Sequence, residues 1–159
     1  MKKKILLKGP LLTRSGYGEQ ARFALRSLRS REDLFDIFIE PLNWGKTSWI
    51  SENNEERRWI DRTVHKTIAH IQSGAQYDIS LQVTIPNEWE RLAPVNIGYT
   101  AGIETNRIAP QWAEKTNMMD RVIVVSEHSK AGFKDTVHHG VATKTGQPMT
   151  LQVSPDKEI

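Results

Sequence analysis

Three stretches of this sequence pair reactive or ligand-binding residue types with a place just after a short apolar run. The first is Ser15-Gly16-Tyr17-Gly18. Glycines there permit positive φ and let the backbone approach a ligand, and a helix opening just beyond aims free amides at an anion. The loop reads as a tight turn or as a cradle for a cofactor phosphate. The second is Glu104, a carboxylate in a post-strand loop with no obvious packing duty. The third is Ser126-Glu127. There the serine suits a helix N-cap, and the glutamate suits the first turn through the helix dipole.

Several chemistries drop out on residue type and spacing. With no cysteine, disulfides, thiolate metal sites, Fe–S clusters and cysteine nucleophiles are excluded. After Gly16 and Gly18 the third position of a dinucleotide fingerprint is Ala21, and Glu40 is the nearest candidate for a ribose-binding acid. Gly45-Lys46-Thr47 matches only the tail of a P-loop, without the upstream glycine and strand. His65 and His70 lie five apart on an expected helix and so on different faces, and His138-His139 sit beside Gly140 at an expected helix end. No H-E-x-x-H or three-ligand spacing occurs, which argues against a metal, and no G-x-S-x-G elbow occurs.

The elements that must position these stretches follow from periodicity. Lys4–Lys8, Phe35–Leu42, Tyr77–Ile85, Val95–Thr100 and Arg121–Val125 read as strands, with Met149–Val153 as a sixth. Helices are expected over Glu19–Ser30, Asn53–Ser73 (with an Asn53/Glu56 capping box and an Ile60, Val64, Ile68, Ile71 stripe), from Pro110 with Trp112, Thr116 and Met119 on one face, and over Glu127–Val137. Alternating strands and helices predict an α/β fold: a three-layer, Rossmann-like parallel sheet of about six strands with helices on both faces. In such sheets ligands bind beyond the carboxyl ends of the strands, which selects loops 9–18, 43–52, 86–94 and 101–110 together with the Ser126 cap.

Composition sets the outer limits. The chain has 159 residues, 38% apolar and 26% charged, the size and balance of one globular domain. Residues 1–31 hold nine basic side chains and one acid, while 32–159 hold 13 basic and 18 acidic, so a net +3 hides a basic start and an acidic remainder. Such asymmetry reads as the wet face of a first helix or as a surface for phosphate or anionic lipid. The basic helix lacks interleaved aromatics, so nucleic acid is not expected as a partner. No apolar run approaches the ~20 residues that span a bilayer, and Ile5-Leu6-Leu7 is too short for a signal core, so a cytoplasmic location is expected.

Residues 97–133 carry the most specific pattern: Glu104-Thr105, Arg107-Ile108, Pro110, Trp112, Asp120, then Val125-Ser126-Glu127 and Phe133. In this order the motifs resemble the N-terminal Rossmann-like domain of GT-B glycosyltransferases, in the retaining, family-4-like group. Ser15-Gly16-Tyr17-Gly18 with Arg22 resembles that family's glycine-bearing acceptor loop. One departure is Ala109, inserted between Ile108 and Pro110. The resemblance covers roughly residues 3–154 as an acceptor-side domain, with 155–159 as the start of an interdomain linker. It implies transfer of a sugar from a nucleotide-sugar co-substrate to an acceptor hydroxyl, with retention, without a metal and with no cofactor. It places Ser15, Gly16, Tyr17, Gly18, Glu104, Thr105, Asn106, Ser126 and Glu127 against a sugar or glycan acceptor, assigns no catalytic residue, and implies a C-terminal donor domain or a separate donor-binding subunit as partner. The basic first helix then suits a phosphorylated acceptor or peripheral membrane contact. The competing expectation is a non-catalytic Rossmann-like binding or assembly module, anchored through exposed Trp44, Trp49 or Trp89.

Overall fold

The computed structural model describes residues 1–43 and 48–159, so the expectations for Trp44 and for Gly45-Lys46-Thr47 lie outside the described residues. In chain order the elements are β1 Lys3–Gly9, α1 Gly16–Arg29, β2 Phe35–Pro41, α2 Glu55–Gln72, β3 Ile79–Val83, a 3₁₀ turn Pro86–Glu88, β4 Val95–Tyr99, α3 Pro110–Met118, β5 Arg121–Ile123, α4 Glu127–Asp135, β6 Val137–Val141 and β7 Pro148–Gln152. Five strands form one sheet in the order β2-β1-β3-β4-β5, every neighbouring pair parallel. This α/β arrangement fits a Rossmann-like fold. The order reverses between β1 and β3, which puts a crevice beyond their carboxyl ends.

Side-chain alternation along the strands fixes the layers. Ile5 pairs with Ile37 and Ile79, and Leu7 with Ile39 and Leu81, so these side chains share one face of the sheet. They form the main core with Ala21, Ala24, Leu25 and Leu28, which recur at helical spacing on α1. Leu6, Phe38, Gln82, Gly98 and Val122 belong to the opposite face. There Trp89 seals the sheet against Gly98, where an added Cβ would lie 2.5 Å from the indole. Trp89 is fully buried, which corrects its expected role as an exposed anchor: the missing side chain at Gly98 opens the slot it fills. Trp112 stacks on Phe133 to complete the layer formed by α3 and α4.

Buried polar side chains replace a helix between β3 and β4. Asn96, on β4, accepts from Leu92 N, Ala93 N and Ser80 Oγ at 2.7–3.1 Å and donates to Ala93 O. Gln82, on β3, accepts from Glu90 N and donates to Glu90 O and Ser80 Oγ. The irregular 89–93 backbone thereby finds partners on the sheet itself, as buried amides and carbonyls require.

Helix α2 laps the outer edge of the sheet. Thr67 Oγ1 accepts from Ile39 N at 3.0 Å, Lys66 Nζ donates to Ile37 O at 3.0 Å, and Lys66 also pairs with Asp36. The free groups of edge strand β2 are thus covered. The basic residues of α1 find partners as well. Arg26 grips Glu56 and Arg29 grips Glu55 across to α2, and Arg29 sits 4.7 Å above the Trp59 ring.

Six expectations are corrected. The sheet has five strands and not six, because Pro148–Gln152 pairs antiparallel with Val137–Val141 in a separate two-stranded ribbon. Helix α4 stops at Asp135 and not Val137: Thr136 is extended, and its hydroxyl turns back to Gly132 O. His138 and His139 therefore lie on a strand, not at a helix end. Helix α1 begins at Gly16 and not Glu19, so the glycines form its first turn, and Ile68 and Ile71 of α2 lie exposed beyond the buried Ile60. In α2 the cap is Asn54, whose Oδ1 accepts from Arg57 N at 2.8 Å. The last residues run back along β5, with Val122 N donating to Glu158 O and Ile159 packing beside Val124. Among the described residues no helix is long and apolar enough to cross a membrane.

Candidate functional site

The loops beyond the carboxyl ends of β1, β4 and β5 meet through small side chains. Ser15 caps α1: its Oγ accepts from Gly18 N at 3.0 Å and bonds Thr13 Oγ1 at 2.9 Å. Gly18 must be glycine for packing, because a Cβ there would sit 2.2 Å from Thr13 O. Arg22, almost wholly buried, donates from Nη1 to Leu11 O and Thr13 O at 3.1 and 2.8 Å and from Nη2 to Glu19. Its hydrogen bond holds the Glu19 carboxyl below the usual carboxylate range. One guanidinium thus ties the 11–13 loop to the helix that follows it.

Tyr17 carries the connection across the sheet. Its hydroxyl shares a hydrogen bond of 2.8 Å with Thr100 Oγ1 and accepts from Ala101 N at 3.2 Å. Thr100 Oγ1 accepts from Gly102 N. Gly102 has φ of +83°, and a Cβ on it would lie 2.4 Å from Ser129 Oγ. Ser129 in turn bonds Ser126 Oγ, which caps α4 by accepting from Ser129 N at 3.1 Å. An unbroken series of contacts therefore runs from residues 15–18 through 100–102 to 126–129.

The residues expected at the site divide into scaffold and exposed groups. Ser15, Gly18 and Ser126 are engaged in capping and packing. Gly16 is exposed in the first turn of α1, and Tyr17 bridges α1 to the loop after β4. Glu104, Thr105 and Asn106 are exposed. The Glu104 carbonyl accepts from His128 Nε2 at 3.2 Å, and Thr105 Oγ1 donates to Arg107 O at 3.1 Å. Glu127 is exposed on the first turn of α4. With Ser126, Lys130, Ile123 and Val125 it lines a groove of 660 Å³ on the β5 side, which residues 15–18 and 104–106 do not enter. The rim is therefore shared, while this groove belongs to its β5 end alone.

The rim carries the exposed carboxylates of Glu104 and Glu127, the Thr105 hydroxyl and the Asn106 amide, with the amino-terminal turns of α1 and α4 beside them. Carboxylates accept from hydroxyl donors, and Lys130 and the helix amides donate, so this surface offers both acceptors and donors to a ligand. Among the described residues no three His, Asp or Glu side chains converge to hold a metal ion.

Sequence reasoning missed Thr13, Thr100, Gly102, Ser129, His128 and His138, which hold the rim in place. A glycine two residues past a strand, as at Thr100-Ala101-Gly102, was the one available signal. The serine and histidine contacts are 24 to 30 residues distant in sequence and leave no local trace. In comparisons with family models, curated proteins and solved structures, nothing matches this chain.

Proposed function

We propose that this chain is the acceptor-binding, N-terminal half of a GT-B-type glycosyltransferase, moving a sugar from a nucleotide-sugar donor to an acceptor hydroxyl. The observation that carries the reading is the contact series Tyr17–Thr100–Gly102–Ser129–Ser126, which gathers the three motif-bearing loops at one rim of a parallel sheet. Glu104, Thr105, Asn106 and Glu127 then accept and donate hydrogen bonds to acceptor hydroxyls and fix which hydroxyl faces the donor. Ser15, Gly18 and Ser126 act through the backbone they cap or pack. Donor contacts belong to a second domain or subunit, so this chain alone orients an acceptor and does not transfer sugar at a useful rate.

The test is an NMR titration of the chain with a panel of simple glycosides and, separately, with nucleotide sugars. The reading expects at least one glycoside to shift amides at 15–18, 101–106 and 126–129, with Glu104→Gln weakening that response, and little response to nucleotide sugars. Tight nucleotide-sugar binding, or glycosides that leave all three stretches unmoved, overturns it.

A second reading, a binding or assembly module, is favoured by one feature. Ile123 at the end of β5 and Val125 just beyond it are 43% and 57% exposed, an apolar surface at that edge of the sheet. Sedimentation separates the two, because an assembly module associates at micromolar concentration without sugar.

A further inference from the structure

The loop bearing Glu104, Thr105 and Asn106 is closed at its far end by a clasp made from the ribbon that follows α4. Arg107 Nη2 donates to Val137 O at 3.0 Å and to His138 Nδ1 at 3.1 Å. On the other side of the same ring, His138 Nε2 donates to Ile108 O at 2.8 Å. The backbone nitrogen of Ile108 donates to Thr136 Oγ1 at 3.1 Å, and the Ile108 side chain is buried beside Phe133. Residues 107 and 108 are thus held by three consecutive residues, 136–138.

This geometry permits only one state of the imidazole. Nδ1 must present a lone pair to the guanidinium while Nε2 carries a hydrogen for the Ile108 carbonyl, which is the neutral Nε2–H tautomer. We propose that His138 is a pH-responsive positioning residue that latches the 103–108 loop in its neutral form and releases it when protonated. A proton on Nδ1 removes the acceptor and sets an imidazolium against the Arg107 guanidinium at hydrogen-bond distance. From the loop side the charged group facing the ring is Arg107. Across the ribbon its partner is the uncharged Leu151, and among the described residues no carboxylate forms an ion pair with His138. A second histidine, His128 of α4, also bonds this loop, but as a donor from Nε2 to the Glu104 carbonyl and with no lone pair facing a cation.

The clasp holds whether or not the loop meets a sugar, so its failure and that of the proposed function are separable. It predicts that acid loosens the loop while the sheet stays intact. The experiment is amide hydrogen exchange on the intact chain at about pH 8 and about pH 5, the interval in which imidazoles change charge, corrected for intrinsic exchange rates. In the unaltered protein, protection of the Ile108 amide, which donates to Thr136 Oγ1, falls about tenfold or more on acidification, while amides of β1 and β3 keep theirs. His138→Asn places a carbonyl oxygen where Nδ1 stood and cannot be protonated in this range. It is expected to show protection that does not change with pH. Arg107→Gln shows a loop equally loose at both values, and His128→Gln keeps the pH response. Unchanged protection of the Ile108 amide in the unaltered protein overturns the proposal, as does a pH response that survives in His138→Asn.

Discussion

Gly102 is the point where the loop after β4 touches α4, and a double-mutant cycle there measures the contact. Alanine at φ of +83° costs roughly 1–2 kcal/mol, because Cβ crowds the following carbonyl. The new methyl would also lie 2.4 Å from Ser129 Oγ and 3.0 Å from Ser129 Cβ. Relieving that overlap by shifting the loop or the helix costs about 1–3 kcal/mol more. Gly102→Ala is therefore expected to lose about 2–5 kcal/mol, a fall in Tm of about 5–15 °C for a domain of this size. In a Ser129→Gly background both overlapping atoms are gone, and only the backbone cost of about 1–2 kcal/mol remains. The loss of the Ser129 hydroxyl itself enters the single and the double variant alike and cancels. Urea denaturation of the four proteins should return a coupling of about 1–3 kcal/mol, the double variant being more stable than the sum of the singles. Additivity to within about 0.5 kcal/mol means the two loops do not touch, and the shared rim then fails with them.

Asn96→Ala is expected to cost about 3 kcal/mol or more, because it strips partners from Leu92 N, Ala93 N and Ser80 Oγ in a buried setting. A loss under about 1 kcal/mol in urea denaturation would show that the 89–93 segment is not anchored by this side chain. Tyr17→Phe should cost only about 1 kcal/mol, since Ala101 is exposed and water can take over its amide, yet it should raise hydrogen exchange at Ala101 and Gly102. Exchange there that matches the unaltered protein would sink the bridging role. The pH dependence has a definite sign. Arg22, Arg29 and Arg31 hydrogen-bond Glu19, Glu55 and Asp33 and lower their pKa values, so the unfolded chain binds protons more readily than the folded one. Their contribution is present above the unfolded values, 4.5 for the glutamates and 3.8 for the aspartate, and is lost as pH falls through the folded ones. The Arg29–Glu55 and Arg31–Asp33 pairs lie at the surface, so Arg29→Gln should flatten the acid limb of a Tm-against-pH curve only slightly, an effect that vanishes in high salt. A steeper acid limb in Arg29→Gln would contradict the sign.

Local pattern was enough for the five parallel strands, whose cores are runs such as Ile5-Leu6-Leu7 and Val122-Ile123-Val124 bounded by Gly, Pro or Asp. It was also enough for the Ser126 cap, whose Oγ accepts from Ser129 N. It failed where tertiary contact outranks propensity. Gly16-Tyr17-Gly18 has poor helix propensity and reads as loop, but the Ser15 cap and the close approach of Gly18 to Thr13 make it the first turn of α1. Strand β6 was missed because Glu127–Val137 runs on at helical spacing, so its partner β7, expected as Met149–Val153, was placed in the main sheet. The contrary signal was Thr143-Lys144-Thr145-Gly146, a short hairpin loop with glycine at φ of +67°. Among the candidate site residues, exposure of Glu104 and Glu127 could be read from their places after strands. The bridge through Tyr17 and Thr100 spans 83 residues and is invisible to periodicity.

The charge asymmetry takes on a different meaning once the fold is laid out. Arg22, Arg26 and Arg29 are engaged with Glu19, Glu56 and Glu55, so the basic face of α1 is largely an internal ion-pair seam joining α1 to α2. The exposed cations left in the first 31 residues include Lys2 and Lys3, at the amino end of β1 and hence at the opposite end of the sheet from the rim. The rim itself presents Glu104 and Glu127. A phosphorylated acceptor placed there would meet carboxylates with no arginine of α1 free to offset them, whereas the basic end of the sheet could face an anionic surface without obstructing the rim. On this arrangement the amino-terminal lysines and the rim lie at opposite ends of the sheet, so their electrostatic fields act at separate places.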